Sequence, residues 1–71
     1  MFERGDRVRV VGTNWIGHVH NIIRTPPPRW LQEPSLQFER IEYNIFLIVG
    51  GQRNVAQGDL VAEVGDRRDF S

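Results

Sequence analysis

His18 and His20 are the only imidazoles in the chain, and there is no cysteine. Two residues apart in an extended segment, they fall on the same side of a strand. A resident metal usually takes three or four protein ligands. No third histidine and no thiolate stands ready to complete such a set, so the pair reads as two polar residues on an exposed strand face. The carboxylates are scattered from Glu3 to Asp69, and none reads as a buried acid–base pair. Gly50-Gly51 lacks the lysine and the following helix of a phosphate-cradling loop. No Ser/His/Asp arrangement falls on plausible turns, and a cysteine nucleophile is excluded outright. The residues thus offer no catalytic set within the chain, which leaves open an enzyme whose site forms only between subunits.

The basic residues carry more information. All nine are arginine, against nine acidic residues, so the formal net charge is zero. Zero net charge without a single lysine argues against an electrostatic nucleic-acid binder. The distribution is uneven: Arg4, Arg7, Arg9 and Arg24 meet only Glu3 and Asp6 in the first 24 residues. That third of the chain is locally positive. The planar guanidinium fork suits paired hydrogen bonds to carboxylates at interfaces.

Seventy-one residues make one domain. No apolar run reaches the ~20 residues that cross a bilayer. No apolar region follows Phe2-Glu3-Arg4, so the chain is expected to be made and kept inside the cell. Residues 7–11, RVRVV, alternate cleanly, with Val8 and Val10 inward. HVHNII at 18–23 is a second strand. RTPPPRWLQEP at 24–34 holds four prolines, which bars a central strand or a helix and predicts a stiff loop. SLQF at 35–38 predicts a third strand and residues 43–49 a fourth, closed by a tight turn at Gly50-Gly51. Residues 52–57 read as irregular, with one helical turn at most near 54–59. DLVAEV at 59–64 is the last strand, with Leu60, Ala62 and Val64 on one parity. The tail DRRDFS is expected to fray.

QFERIEYNIF at 37–46 breaks its own pattern. Leu36 and Phe38 set one parity; Ile41, Tyr43 and Ile45 resume on the other. Either the strand is bulged near Glu39 and Arg40, or one strand ends there and another begins. Five short strands and no helix leave few architectures. The expected fold is all-β, a small five-stranded SH3-like barrel with long loops over residues 1–65, followed by a C-terminal tail at 66–71. Residues 45–49, IFLIV, are apolar on both faces, more than so small a barrel buries. One face, Phe46 and Ile48, is expected to pack on a neighbouring subunit, unless the proline loop and Trp30 cover it.

Several stretches resemble the photosystem I reaction-centre subunit IV (PsaE) family. They are Arg4-Gly5-Asp6-Arg7-Val8-Arg9-Val10, then Trp15 before Gly17-His18-Val19, then Gln37-Phe38-Glu39-Arg40-Ile41-Glu42-Tyr43, and last Asn54-Val55-Ala56 before Asp59-Leu60. The match runs through most of residues 3–64 in order. The chain departs from the family in its longer, proline-rich loop, in the apolar 45–49 segment, and in Gln37, which replaces a family arginine implicated in ferredoxin docking. What the resemblance implies is a non-catalytic, cofactor-free subunit, peripheral on the cytoplasmic or stromal face of a photosynthetic membrane. Its neighbours would be the photosystem I core subunits and the iron–sulfur subunit. It would assist docking of ferredoxin or flavodoxin and cyclic electron flow, touching the membrane only through the complex. The strand break at Glu39-Arg40 would be a strand terminus, with Arg40 at the rim. Partner contacts are assigned to Arg4, Arg7, Arg9, Trp15, Arg40, Phe46 and Ile48. GDRVR with WIGHV is also similar to small plasmid-borne dihydrofolate reductases, but their Val-Gln-Ile-Tyr motif is missing. A free-standing SH3-like adaptor with a groove of Trp15, Trp30 and Tyr43, or a KOW-type nucleic-acid module, is the alternative.

Overall fold

The computed structural model describes residues 1–27, 29–30 and 40–70. These form β1 (Arg7–Val10), β2 (Ile16–Thr25), β3 (Arg40–Leu47), β4 (Gln52–Ala56) and β5 (Leu60–Ala62), with a 3₁₀ turn at Gln57–Asp59 before β5. All pairings are antiparallel, and the strand order across the sheet is β4-β3-β2-β1-β5. The chain is therefore a small all-β unit built on one five-stranded antiparallel sheet. Strand pairing does not join β4 to β5 among the described residues, so the sheet is not closed into a barrel.

The turn from β1 to β2 shows how locally the sequence acts. Gly12 takes φ +78°, which an L side chain rarely adopts. The Thr13 hydroxyl donates to the Val10 carbonyl at 2.9 Å and accepts the Trp15 N–H at 3.0 Å. One side chain thus satisfies both ends of the turn. At the β3–β4 turn, Gly50 and Gly51 both have positive φ, and Leu47 and Gly51 close it with a 3.0 Å backbone hydrogen bond.

The core is formed by Val8, Val19, Tyr43, Ile45 and Leu60, with Phe2, Val10, Ile22, Ile41, Leu47 and Val55 packed around it. In β3 the inward parity runs unbroken through Ile41, Tyr43 and Ile45, and the strand begins at Arg40. The parity slip itself, at Glu39, lies outside the described residues, and so does SLQF before it. A bulge does occur, but in β2: the register with β3 shifts between Val19 and Asn21. Val19 opposes Ile45, and beyond the shift Ile22 opposes Tyr43. One extra residue, His20, keeps the apolar side chains of β2 on the core face although their sequence parity changes.

Several expectations are corrected. Residues 52–56 are a strand, not an irregular segment, because QRNVA pairs with β3 as a polar edge strand. β3 starts earlier than residue 43 and stops at Leu47, leaving Ile48 and Val49 in the turn. Arg24 and Thr25 belong to β2, not to the proline loop. β5 ends at Ala62, and Val64 is 94% exposed, so its parity with Leu60 carries no burial. The tail does not fray: residues 66–70 lie against the first turn of the chain and the outer sheet face.

Candidate functional site

The two ends of the chain build one surface. Near the N-terminus, Asp6 folds back on its own turn: its carboxylate accepts the Glu3 N–H at 2.8 Å, and its N–H donates to the Glu3 carbonyl at 3.0 Å. Gly5 takes φ +95°, and a Cβ there would strike the Arg68 carbonyl oxygen. The missing side chain is what lets the C-terminal segment cross directly over this turn. Arg68 N–H donates to the Gly5 carbonyl at 3.0 Å. Arg67 forms an ion pair with Asp6, reaches Glu3 at 3.7 Å, and donates to the Arg4 carbonyl at 3.0 Å. Upstream, Gly65 (φ +146°) passes over the Arg7 side chain with no room for a Cβ.

Beyond the crossing, the tail covers the outer face of the sheet. His20 and Phe46 stack with ring centres 4.0 Å apart, and Phe70 meets both edge-on, at 5.1 and 5.4 Å. His20 is also tied to Asn44 Oδ1 at 3.2 Å, and Asn44 donates to Asn54 at 2.9 Å. Phe46 is therefore covered by the chain's own residues, while Trp30 stays 76% exposed. Arg4, Arg67, Arg68, Asp69 and Phe70 line a cleft of about 490 Å³ at this end. The guanidiniums of Arg4 and Arg68 lie 5.6 and 4.8 Å from the Phe70 ring centre.

The residues singled out from sequence are dispersed and do not form one site. Arg4 lines the cleft, and Arg7 lies beneath Gly65 with its Nε buried and without a hydrogen-bond partner. Arg9 pairs with Glu63 at 3.3 Å, and Arg40 with Glu42 at 3.0 Å at the start of β3. Trp15, just before β2, stands under the Arg53 guanidinium, which lies 4.4 Å from its ring centre. Ile48 is exposed in the β3–β4 turn and does not share a strand face with Phe46. Arg67, Arg68 and Phe70 were not legible as site residues. The available signal was one aromatic set among charges in DRRDF, an apolar anchor flanked by two guanidiniums.

Among the described residues, no group of three or more His, Cys, Asp or Glu side chains is placed to hold a metal. His18 has its Nε2 3.0 Å from the Asp66 carbonyl, a structural contact with the tail. No helix among the described residues is long and apolar enough to cross a membrane. The chain matches no family model, no curated protein and no solved structure.

Proposed function

We propose that the chain is a non-catalytic docking subunit whose arginine-bearing end receives an acidic protein. The SH3-like barrel is part of this proposal. The strand order and the 3₁₀ turn just before β5 support it. The observation that carries the docking role is charge left uncompensated in a chain of zero net charge. Arg4, Arg7 and Arg68 have no carboxylate within ion-pair reach among the described residues, and all three belong to the end where tail and first turn cross. Such a patch speeds encounter with an acidic partner without taking part in its chemistry.

The setting comes from the resemblance alone. It is a peripheral place on photosystem I beside the core and iron–sulfur subunits, with ferredoxin or flavodoxin as the acidic partner and cyclic electron flow as the process served. The adaptor alternative loses a groove wall, because Tyr43 has no exposed surface. Two measurements test the proposal. The chain should co-purify with pigment-bearing membrane complexes; its absence from them removes the photosystem setting. In such complexes, Arg4→Glu with Arg7→Glu should slow ferredoxin photoreduction more at low salt than at high salt. Equal rates at both salts would take the steering role from this end.

A further inference from the structure

Arg4 and Arg68 come from opposite ends of the sequence, yet both guanidiniums sit on the ring of Phe70. Their placement is fixed by main-chain contacts. Arg4 Nη2 donates to the Phe70 carbonyl at 3.0 Å, and the Arg68 N–H donates to the Gly5 carbonyl at the same distance. Arg67, the third arginine of the cleft, is already neutralised by Asp6 and Glu3. Asp69, which also lines the cleft, has an interaction of its own. Two like charges are thus held over one aromatic ring, with no carboxylate of their own among the described residues. That arrangement raises the free energy of the empty cleft and lowers it when an anion enters. Each guanidinium keeps donors to spare, since a guanidinium carries five N–H groups and Arg4 spends one on Phe70.

We propose that Arg4 and Arg68, seated on Phe70, form a clamp for a carboxylate presented by an acidic protein surface. Planar carboxylates match the guanidinium fork, and the ring holds both forks in place and excludes water from one side. This rests on the docking reading above and gives it a specific receptor. The resemblance would have looked for a receptor at Gln37, which lies outside the described residues.

The probe is acetyl-tetraglutamate amide, with acetyl-tetraglutamine amide as the uncharged control. The readout is the side-chain Nε–Hε resonances of the full-length protein. Saturable shifts are expected at Arg4 and Arg68 with the glutamate peptide only. Arg53, stacked on Trp15 and not among the residues that line the cleft, serves as the internal control. Arg4→Gln and Arg68→Gln should each weaken binding about fivefold, and Arg53→Gln should not. Shifts of equal size at all arginines, or none that saturate, would overturn the clamp, and this readout needs no variant to fold. Ferredoxin separates the two ideas. If it binds in a salt-dependent way while Arg4 and Arg68 stay unshifted, the clamp fails and the docking role stands. If the peptide binds at the clamp but ferredoxin does not bind at all, the docking partner is wrong and the clamp stands.

Discussion

Tyr43 has no exposed surface, yet its hydroxyl is in use: it accepts the Phe2 N–H at 3.1 Å, and the two rings meet edge-on at 5.6 Å. The N-terminus is thereby pinned to the middle of β3, which places Arg4 where the tail can cross it. Tyr43→Phe keeps the ring but strands the Phe2 N–H. The expected loss is about 1 kcal/mol of stability in urea unfolding, with the sheet intact. Gly17 is constrained differently. A Cβ there would sit 2.5 Å from the Phe46 carbonyl oxygen and 2.6 Å from Ile45. The backbone of β3 cannot yield to it cheaply. Gly17→Ala is therefore expected to cost about 1–3 kcal/mol by the same measurement, although alanine is the smallest replacement available. An unchanged urea midpoint in this variant would show that β2 and β3 are less closely packed than the register implies. Arg9 and Glu63, by contrast, are both part-exposed, and their pair contributes at most about 1 kcal/mol.

β2 and β3 form the longest pairing in the sheet, and each has a strand on its other side. Their amides should exchange last with deuterium, and those on the side of β4 that meets no other strand among the described residues first. If β4 amides proved as protected as those of β3, a further strand or partner would have to cover that edge. What could be read from sequence follows the same division. Strands with apolar inward residues, such as RVRV and RIEYNIFL, announce themselves, because burial leaves a period-two trace. QRNVA leaves none: its first three residues are exposed, and what makes it a strand is the glycine turn that returns it alongside β3. HVHNII reads in the letters as one plain strand, and a bulge at His20 can be assigned only when Ile45 and Tyr43 are known to lie opposite. The tail was the least legible element. Phe70 finds its partners, His20 and Phe46, through contacts remote in sequence, and glycines at 5 and 65 make the crossing possible. A chain ended at Gly65 should lose about 1–2 kcal/mol of stability, chiefly from the uncovered rings. The shortened chain should then bind an apolar dye more strongly than the intact protein, because Phe46 is uncovered. Full retention of the melting temperature would show that the tail rests on the sheet without supporting it.

A chain this short has a thin margin, because it buries only ~60% of its unfolded surface. Five side chains make up its buried core among the described residues, and no disulfide reinforces them. With a total stability of about 3–5 kcal/mol, typical of domains this small, single core positions decide whether the molecule folds alone. Ile45 is fully buried between Val19 of β2 and Arg53 of β4, in the middle of the sheet. Ile45→Val should cost about 1 kcal/mol and leave a folded protein with a lowered melting temperature. Ile45→Ala should cost about 2–5 kcal/mol, enough to populate the unfolded state at growth temperature. A partner that binds only the folded chain shifts this balance by about 2.7 kcal/mol when present at a hundred times its dissociation constant. Circular dichroism of Ile45→Ala, with and without saturating acidic partner, therefore tests core and docking surface together. The expected result is a disordered spectrum that recovers β character when the partner is added at low salt, and recovers less at high salt. A variant that is fully folded alone would mean that the core extends beyond these five residues. One that stays unfolded with any acidic partner, while the wild type binds it, would put the cost of the cavity above what docking supplies.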